Sequence, residues 1–331
     1  MLEQAVDKAI RDYWEIGFDA EYKLEPIQQG ASGRAISRVT YNYQSIIAIE
    51  YDDSRADNAQ FAPLAIQLSQ AGIVVPEIIS HHDNNGCGYC LVQDLGKQTL
   101  LKSLEKIKQL DDSVLETVAI INLYQSAIDA IAKVHQLEIS KIDAIYLQPS
   151  FGVELYRWEQ EYFITHYGTS IGLSEEQQQA WLNQPALIAL AEKLASQPRA
   201  LIHRDCQSEN IMLKQDSVYL IDFQGMRLGL PEYDWASLIY DPYVAKNLSP
   251  SMQQTLQAYL IKKYQINIDI LQACALQRLM QATGAYAKLS ALGIKRYQKY
   301  IEPTFKQLQR FQSLSGIDIK LKKNLFLDKK K

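Results

Sequence analysis

Hydrophobic and polar positions change period several times along this chain, and each change marks an element. Over residues 1 to about 20, Ala5, Ile10, Tyr13 and Trp14 supply the apolar positions of a predicted helix. From Tyr22 the pattern shortens to strand-like runs, Tyr22 to Ile27, Ala35 to Tyr43 and Ser45 to Tyr51, with a tight turn near Asn42. Asp57 or Asn58 is expected to cap a helix that carries Phe61, Leu64, Leu68 and Ala71 and ends at Gly72, with Pro63 tolerated in its first turn. Ile73 to Ile79 and Tyr89 to Gln93 predict further strands around Asp83-Asn84-Asn85-Gly86. Beyond Gly96 the period is mostly helical: Ile120, Tyr124, Ala127, Ile131 and Val134 form one stripe, closed by His135, which is expected to be structural. Glu154 to Tyr167 and Leu271 to Leu292 follow as helices, and a lysine-rich tail closes the chain. The pattern predicts an α+β protein with a small antiparallel β-sheet lobe, residues 1–95, and a larger, mostly helical lobe, residues 96–331, joined near Gln93 to Lys97.

One stretch inside the helical part breaks this rhythm. Leu201 and Ile202 end an apolar strand and deliver His203-Arg204-Asp205; Asn210 follows five residues after the aspartate, and Asp222 closes a later apolar run. Ile211 to Lys214 and Val218 to Ile221 read as a hairpin around Gln215-Asp216-Ser217. A turn centred on Asp216 would set Asn210 opposite Asp222, with Cα atoms roughly 4.5–5.5 Å apart. One amide oxygen and one carboxylate facing a common point suit Mg²⁺, which completes its shell with water and phosphate oxygens. Asp205, on the intervening loop, is placed to accept the proton of an attacking hydroxyl. The spacing H-R-D-x-x-x-x-N followed by D-F-x-G points to phosphoryl transfer.

Other candidate chemistry is weaker. In Gly30-Ala31-Ser32-Gly33-Arg34, backbone N–H groups can approach phosphates, with Ser32 and Arg34 adding side-chain donors. His81, His82, Cys87 and Cys90 invite a zinc reading, but strand alternation points neither the two histidines nor the two cysteines to one face. Trp158 and Tyr162 have the spacing of a buried helical stripe, or of a platform for a sugar ring. Cys206 beside Asp205 suggests a covalent step that direct transfer does not need.

Composition narrows the class. At 331 residues and 47% hydrophobic, the chain can build one or two cores. A net charge of -4 and a pI near 5.8 offer no basic surface for nucleic acid. No apolar run is expected to be long enough to cross a bilayer, the N-terminus lacks a signal-peptide core, and four cysteines in so long a chain do not suggest disulfides. A cytoplasmic protein with no evident protein partner is expected.

HRDCQSENIML, IDFQGMRLG and PEYDWASLIYDPYV resemble the aminoglycoside phosphotransferase-like kinases, and within them the bacterial cell-wall sugar kinases that phosphorylate N-acetylmuramate and N-acetylglucosamine at the anomeric hydroxyl. The resemblance runs from Gly30 through Tyr243. It implies a bilobal protein-kinase-like fold, ATP and Mg²⁺, a small-molecule amino-sugar acceptor and a place in cell-wall recycling. It assigns the catalytic base to Asp205, a bracing role to His203 with Arg204 beside it, and metal ligation to Asn210 and Asp222. Gly30, Ser32, Gly33 and Arg34 would form the nucleotide loop, and Gln93, Asp94 and Leu95 the hinge that receives adenine through backbone hydrogen bonds. Gln207 and Ser208 match the sugar-kinase form of the loop, Arg227, Tyr233 and Asp234 match a region expected to support it, and Asp241 is similarly placed with no role assigned. Ile46 to Glu50 lacks the lysine that most kinases place there, so Arg34 or Arg38 is the candidate to supply the missing charge. An aminoglycoside or choline-like acceptor, or an inactive kinase fold used for binding, stay open as alternatives.

Overall fold

The computed structural model describes residues 2–27, 34–55, 57–245 and 247–317. The expected phosphate loop residues Gly30, Ser32 and Gly33, and the lysine-rich tail, lie outside the described residues. The chain divides into two compact units: Met1–Leu100 with Gln136–Gln148 and Glu209–Met226, and Leu101–His135 with Pro149–Ser208 and Arg227–Lys331.

In the first unit, α1 (Leu2–Trp14) packs Val6, Ala9 and Ile10 against Val39, Ile46, Ala48, Tyr89 and Leu91 of an antiparallel sheet. That sheet contains β1 (Lys23–Pro26), β2 (Ala35–Tyr41), β3 (Gln44–Tyr51), β4 (Ile78–Asn84) and β5 (Cys87–Gln93), in the order β1-β2-β3-β5-β4. Two-residue turns close the β2–β3 and β4–β5 hairpins. Asn42 and Tyr43 have φ of 46° and 64°, and Asn85 and Gly86 have 52° and 87°, the left-handed pairs that match the twist of the strands. Exposed Cys87 and buried Cys90 fall on opposite faces of β5, as alternation requires.

Two boundaries differ from expectation. The helix α2 (Phe61–Gln70) starts from Gln60 rather than Asp57 or Asn58, and no side chain caps it. The strand expected from Ile73 begins only at Ile78, because Pro76 lacks an N–H for a ladder. Instead the Val74 carbonyl accepts the N–H of Leu220 at 3.1 Å. Leu220 belongs to a hairpin of β7 (Ile211–Lys214) and β8 (Ser217–Leu220), which also donates Leu213 N–H to Gln98 O at 2.8 Å. Gln148 N–H reaches Met226 O at 2.8 Å. These bonds explain why the first unit contains the expected 1–95 and extends beyond it.

The second unit is built from α3 (Leu100–Ile107), α4 (Ser113–His135), α5 (Val153–Phe163), α6 (Glu175–Leu182), α7 (Pro185–Ala195), α8 (Pro231–Ile239), α9 (Pro250–Tyr264), α10 (Ile268–Ala291) and α11 (Gln298–Ser315), with Leu100 itself grouped in the first unit. A short ladder joins β6 (Ala200–Ile202) to β9 (Arg227–Gly229). Gly229 permits that approach, since a Cβ there would lie 2.5 Å from Ile202 Cδ1. The buried α10 packs against α5, α8 and α11.

By length and composition α4 could cross a membrane, with an 18-residue window of mean hydropathy 1.3, which corrects the expectation that no run is long enough. Its fully buried Ile120, Tyr124, Ala127, Ile128, Ile131 and Val134 account for that apolarity as a packed face. Asp129 in the same helix accepts hydrogen bonds from Tyr259, Lys263 and Tyr264 at 2.7–2.9 Å.

Candidate active site

In the second unit the site is a short loop pinned by two buried carboxylates. Strand β6 brings Leu201 and Ile202 into the core and releases His203-Arg204-Asp205 at its end. Asp234, in the first turn of α8 and fully buried, accepts His203 N–H and Arg204 N–H, each at 2.7 Å, and lies 3.0 Å from His135 Nε2. The expected structural role of His135 is thus met by a carboxylate rather than by backbone. At the far end of the loop, Asp241 accepts Ser208 N–H at 2.7 Å and Tyr243 N–H at 2.9 Å. Arg204 is held at φ 79°, a left-handed backbone that favours glycine. The Asp234 bond to its N–H fixes the loop in this conformation.

Asp205 projects from that strained bend. Its N–H donates to His203 Nδ1 at 3.3 Å, which makes His203 a brace for the loop. Its carboxylate meets Arg278 Nη2 at 2.9 Å and Arg204 Nη1 at 3.6 Å, and 28% of the side chain stays exposed. Burial would raise its pKa, but Arg278 and Arg204, with His203 and Arg227, outweigh burial and hold it below the usual carboxylate range. Asp205 is therefore anionic, reachable and fixed in direction.

Arg204 is supported in turn by Glu159, whose Oε1 lies 4.0 Å from it. Glu159 is fully buried and accepts from Tyr233 Oη at 2.8 Å and Gln277 Nε2 at 3.1 Å, while burial pushes its pKa up. Cys206 is buried, and burial together with Asp234 and Asp205 pushes its thiol pKa well up, so it is no nucleophile. Arg278 and Glu159 were not singled out by motif. Arg278 had a signal nonetheless: a cation amid Leu276, Leu279 and Met280 of α10 must find a partner.

Burial raises the Asp241 carboxyl to about 6 despite the Ser208 and Tyr243 bonds and Arg278. A raised folded-state pKa means that the stabilising effect of the protonated form is present below the usual carboxylate value and lost as pH rises to about 6. Asp241→Asn is expected to gain on wild type by up to about 3 kcal/mol of unfolding free energy between about pH 4 and pH 7. Denaturant unfolding across that range reads it, and a difference independent of pH would contradict a buried charge at this position.

The first unit holds the other candidate residues. Asn210 and Asp222 flank the β7–β8 hairpin at its open end, but not in the expected register. The turn contains only Gln215 and Asp216, with φ of 49° and 61°, so Lys214 pairs with Ser217 and the ladder shifts by one residue. Asn210 stands opposite Ile221, whose N–H it accepts at 3.1 Å. Asp222 lies one residue further, at φ 64°, where the chain leaves strand geometry.

Asp222 Oδ1 accepts Arg34 Nη2 at 2.7 Å and Gln224 Nε2 at 2.8 Å, and 40% of its side chain remains exposed. Phe223 stacks on Phe61 at 4.9 Å, and the Arg34 guanidinium lies 5.9 Å from the Phe61 ring centre. Arg34 is thus placed by packing as well as by charge. One exposed carboxylate and one amide at the same hairpin end are the donor types that Mg²⁺ takes, so these residues fit the ion.

Arg38 is committed elsewhere. It binds the buried Asp94 carboxylate and Gly96 O at 3.0 Å. Burial would raise the Asp94 pKa, but Arg38, Ser45 and Gly96 N–H bring it down to about 2. The Asp94 carbonyl accepts Lys214 Nζ at 2.8 Å, and Gln93 N–H donates to Glu77 O at 2.9 Å. Asp94 therefore organises the expected hinge through its side chain, with Leu95 buried beside it. Of the two cations proposed for the missing lysine, Arg34 is the one beside Asp222.

The sequence pattern of a family described as "Phosphotransferase enzyme family" matches residues 23–269. The chain is 26% identical over 277 residues to an N-acetylmuramate/N-acetylglucosamine kinase of Pseudomonas aeruginosa, covering 81% of this chain and 77% of that protein. A protein of the same description from Pseudomonas putida is 28% identical over 222 residues, covering 65% of this chain and 60% of the relative. Among solved structures, a thermostable mutant of aminoglycoside phosphotransferase APH(4)-Ia, in ternary complex with ADP and hygromycin B, superposes with a TM-score of 0.57. It is 14% identical, and the match covers 94% of this chain and 97% of that one. At that identity the likeness concerns the fold, which is of the expected kinase-like class.

Proposed function

Because the chain belongs to the phosphotransferase enzyme family, we propose that it transfers the γ-phosphoryl group of ATP, with Mg²⁺, to the anomeric hydroxyl of an N-acetylated amino sugar. The observation that carries this reading is Asp205: a carboxylate kept ionised by two guanidiniums, partly exposed, on a loop fixed at both ends. Its low basicity suits a reaction in which bond breaking runs ahead of proton loss. Such a group need only align the hydroxyl and take its proton late. His203 and Arg204 keep the carboxylate in that direction, and Arg278 limits its rotation.

In the first unit, Asn210 and Asp222 would hold Mg²⁺, which when bound neutralises phosphate charge. Arg34 supplies a fixed cation next to that pair, in place of the strand lysine. The amino-sugar acceptor is supported by the descriptions of the bacterial relatives.

The test is Mg²⁺-dependent ATP consumption with product detection, run across N-acetylmuramate, N-acetylglucosamine, an aminoglycoside and choline. Turnover stimulated by the amino sugars and not by the other two is expected. Turnover with the aminoglycoside or choline alone would overturn the acceptor class, and none with any acceptor would overturn the reading of an active sugar kinase.

A further inference from the structure

An exposed aromatic face lies along α5 and α10 of the second unit and has no part in pinning the catalytic loop. Trp158 is 47% exposed. It stacks on Tyr162, ring centres 5.1 Å apart and planes 30° apart. The Lys288 ammonium lies 5.3 Å from the Tyr162 ring centre, and among the described residues no carboxylate forms an ion pair with it.

Gly284 makes this arrangement possible. A Cβ there would come within 2.9 Å of Phe163 Cα and 3.0 Å of Tyr162 Cδ1, so a bare backbone lets α10 press against the ring. Arg278, Gln281, Ala285 and Lys288 follow the spacing of one helix face. Residues Cys274 to Met280 on α10 are buried, whereas Gln281 and Ala285 are partly exposed and Lys288 is exposed. Arg278, which grips Asp205, lies at the buried end of that face; the open positions begin at Gln281, and the face passes the Tyr162 ring near Gly284. Six residues of helix separate those levels, about 9 Å of rise, close to the span of one hexose with its substituents.

We propose that Trp158, Tyr162 and Lys288 form the acceptor subsite: the exposed Trp158 ring, backed by Tyr162, faces the apolar side of a sugar whose hydroxyl points to Asp205, and Lys288 pairs with a carboxylate on that sugar. Resting on the sugar-kinase reading above, this makes Lys288 the residue that favours an acidic amino sugar over a neutral one. N-acetylmuramate carries such a carboxylate in its lactyl ether, and N-acetylglucosamine does not.

The experiment measures kcat and KM for both sugars, and KM for ATP, in wild type, Lys288→Met, Lys288→Arg and Trp158→Ala. Lys288→Met is expected to lower kcat/KM for N-acetylmuramate about tenfold more than for N-acetylglucosamine, with Lys288→Arg restoring most of the difference. Trp158→Ala is expected to raise KM for both sugars about tenfold, by loss of a stacking face. A general collapse would instead move KM for ATP in step with the sugars. If wild type turns over the sugars and Lys288→Met leaves their ratio unchanged, or Trp158→Ala leaves both KM values unchanged, the subsite is wrong and the sugar-kinase reading stands. If wild type turns over neither sugar, that reading falls and the subsite falls with it.

Discussion

Asp205→Asn is expected to lower kcat by about 10²–10⁴-fold while nucleotide affinity stays close to wild type. Asparagine keeps the size of the side chain and one oxygen, so the change isolates charge and proton acceptance. The amide cannot accept the hydroxyl proton, and its NH₂ would face Arg278 or Arg204 in place of a carboxylate oxygen. Arg278 is 5% exposed and would lose the Asp205 charge, keeping among the described residues Ser237 Oγ at 3.1 Å and the Gln281 side chain. A lower melting temperature should therefore accompany the kinetic loss. A coupled turnover assay and nucleotide titration calorimetry separate the two effects. A variant within tenfold of wild-type kcat would remove Asp205 from the role of base.

The second large effect concerns a fully buried carboxylate. Asp234→Ala is expected to cost about 3–5 kcal/mol of stability, as does removing one partner of a buried charged network. His135, the Cys206 thiol and two backbone N–H groups of the His203–Ser208 loop converge on this carboxylate. Without it those groups are unsatisfied, and the left-handed Arg204, itself a strain of about 1–3 kcal/mol, has nothing to hold it. Activity should fall with the loop. Arg204→Gly should relax the backbone and yet leave Glu159 without its cation, so it is not a substitute for the intact arrangement. Urea unfolding of Asp234→Ala gives the number, and a value equal to wild type would show that the loop does not depend on this pin.

Much of the fold could be read from the chain because its signals are local. The Asn85-Gly86 turn and the Ile120–Val134 stripe each declare themselves within a few residues. The His203-Arg204-Asp205 loop was legible for the same reason, as its motif is contiguous. Register was harder, because choosing a two-residue turn over a three-residue one moved Asn210 from Asp222 to Ile221. Pairings across long separations were least legible. Arg278 meets Asp205 from 73 positions away and Arg34 meets Asp222 from 188, distances at which no periodicity carries information. Arg34 and Arg38 were equally eligible from the chain to replace a lysine, and only the fold shows Arg38 committed to Asp94 and Arg34 beside Asp222.

The first unit takes its chain from three separate segments, the last ending at Met226. Its sheet strands are complete by Gln93, yet Val74 and Gln98 wait for hydrogen-bond partners that lie more than a hundred residues downstream. During synthesis, which proceeds from the N-terminus at about 5–20 residues per second, those groups stay open for several seconds or more after the sheet emerges. The nascent chain must tolerate an exposed seam along Ile73 to Val75 for that interval. Pro76, which denies that seam a regular strand ladder, also makes it a poor template for a neighbouring nascent chain.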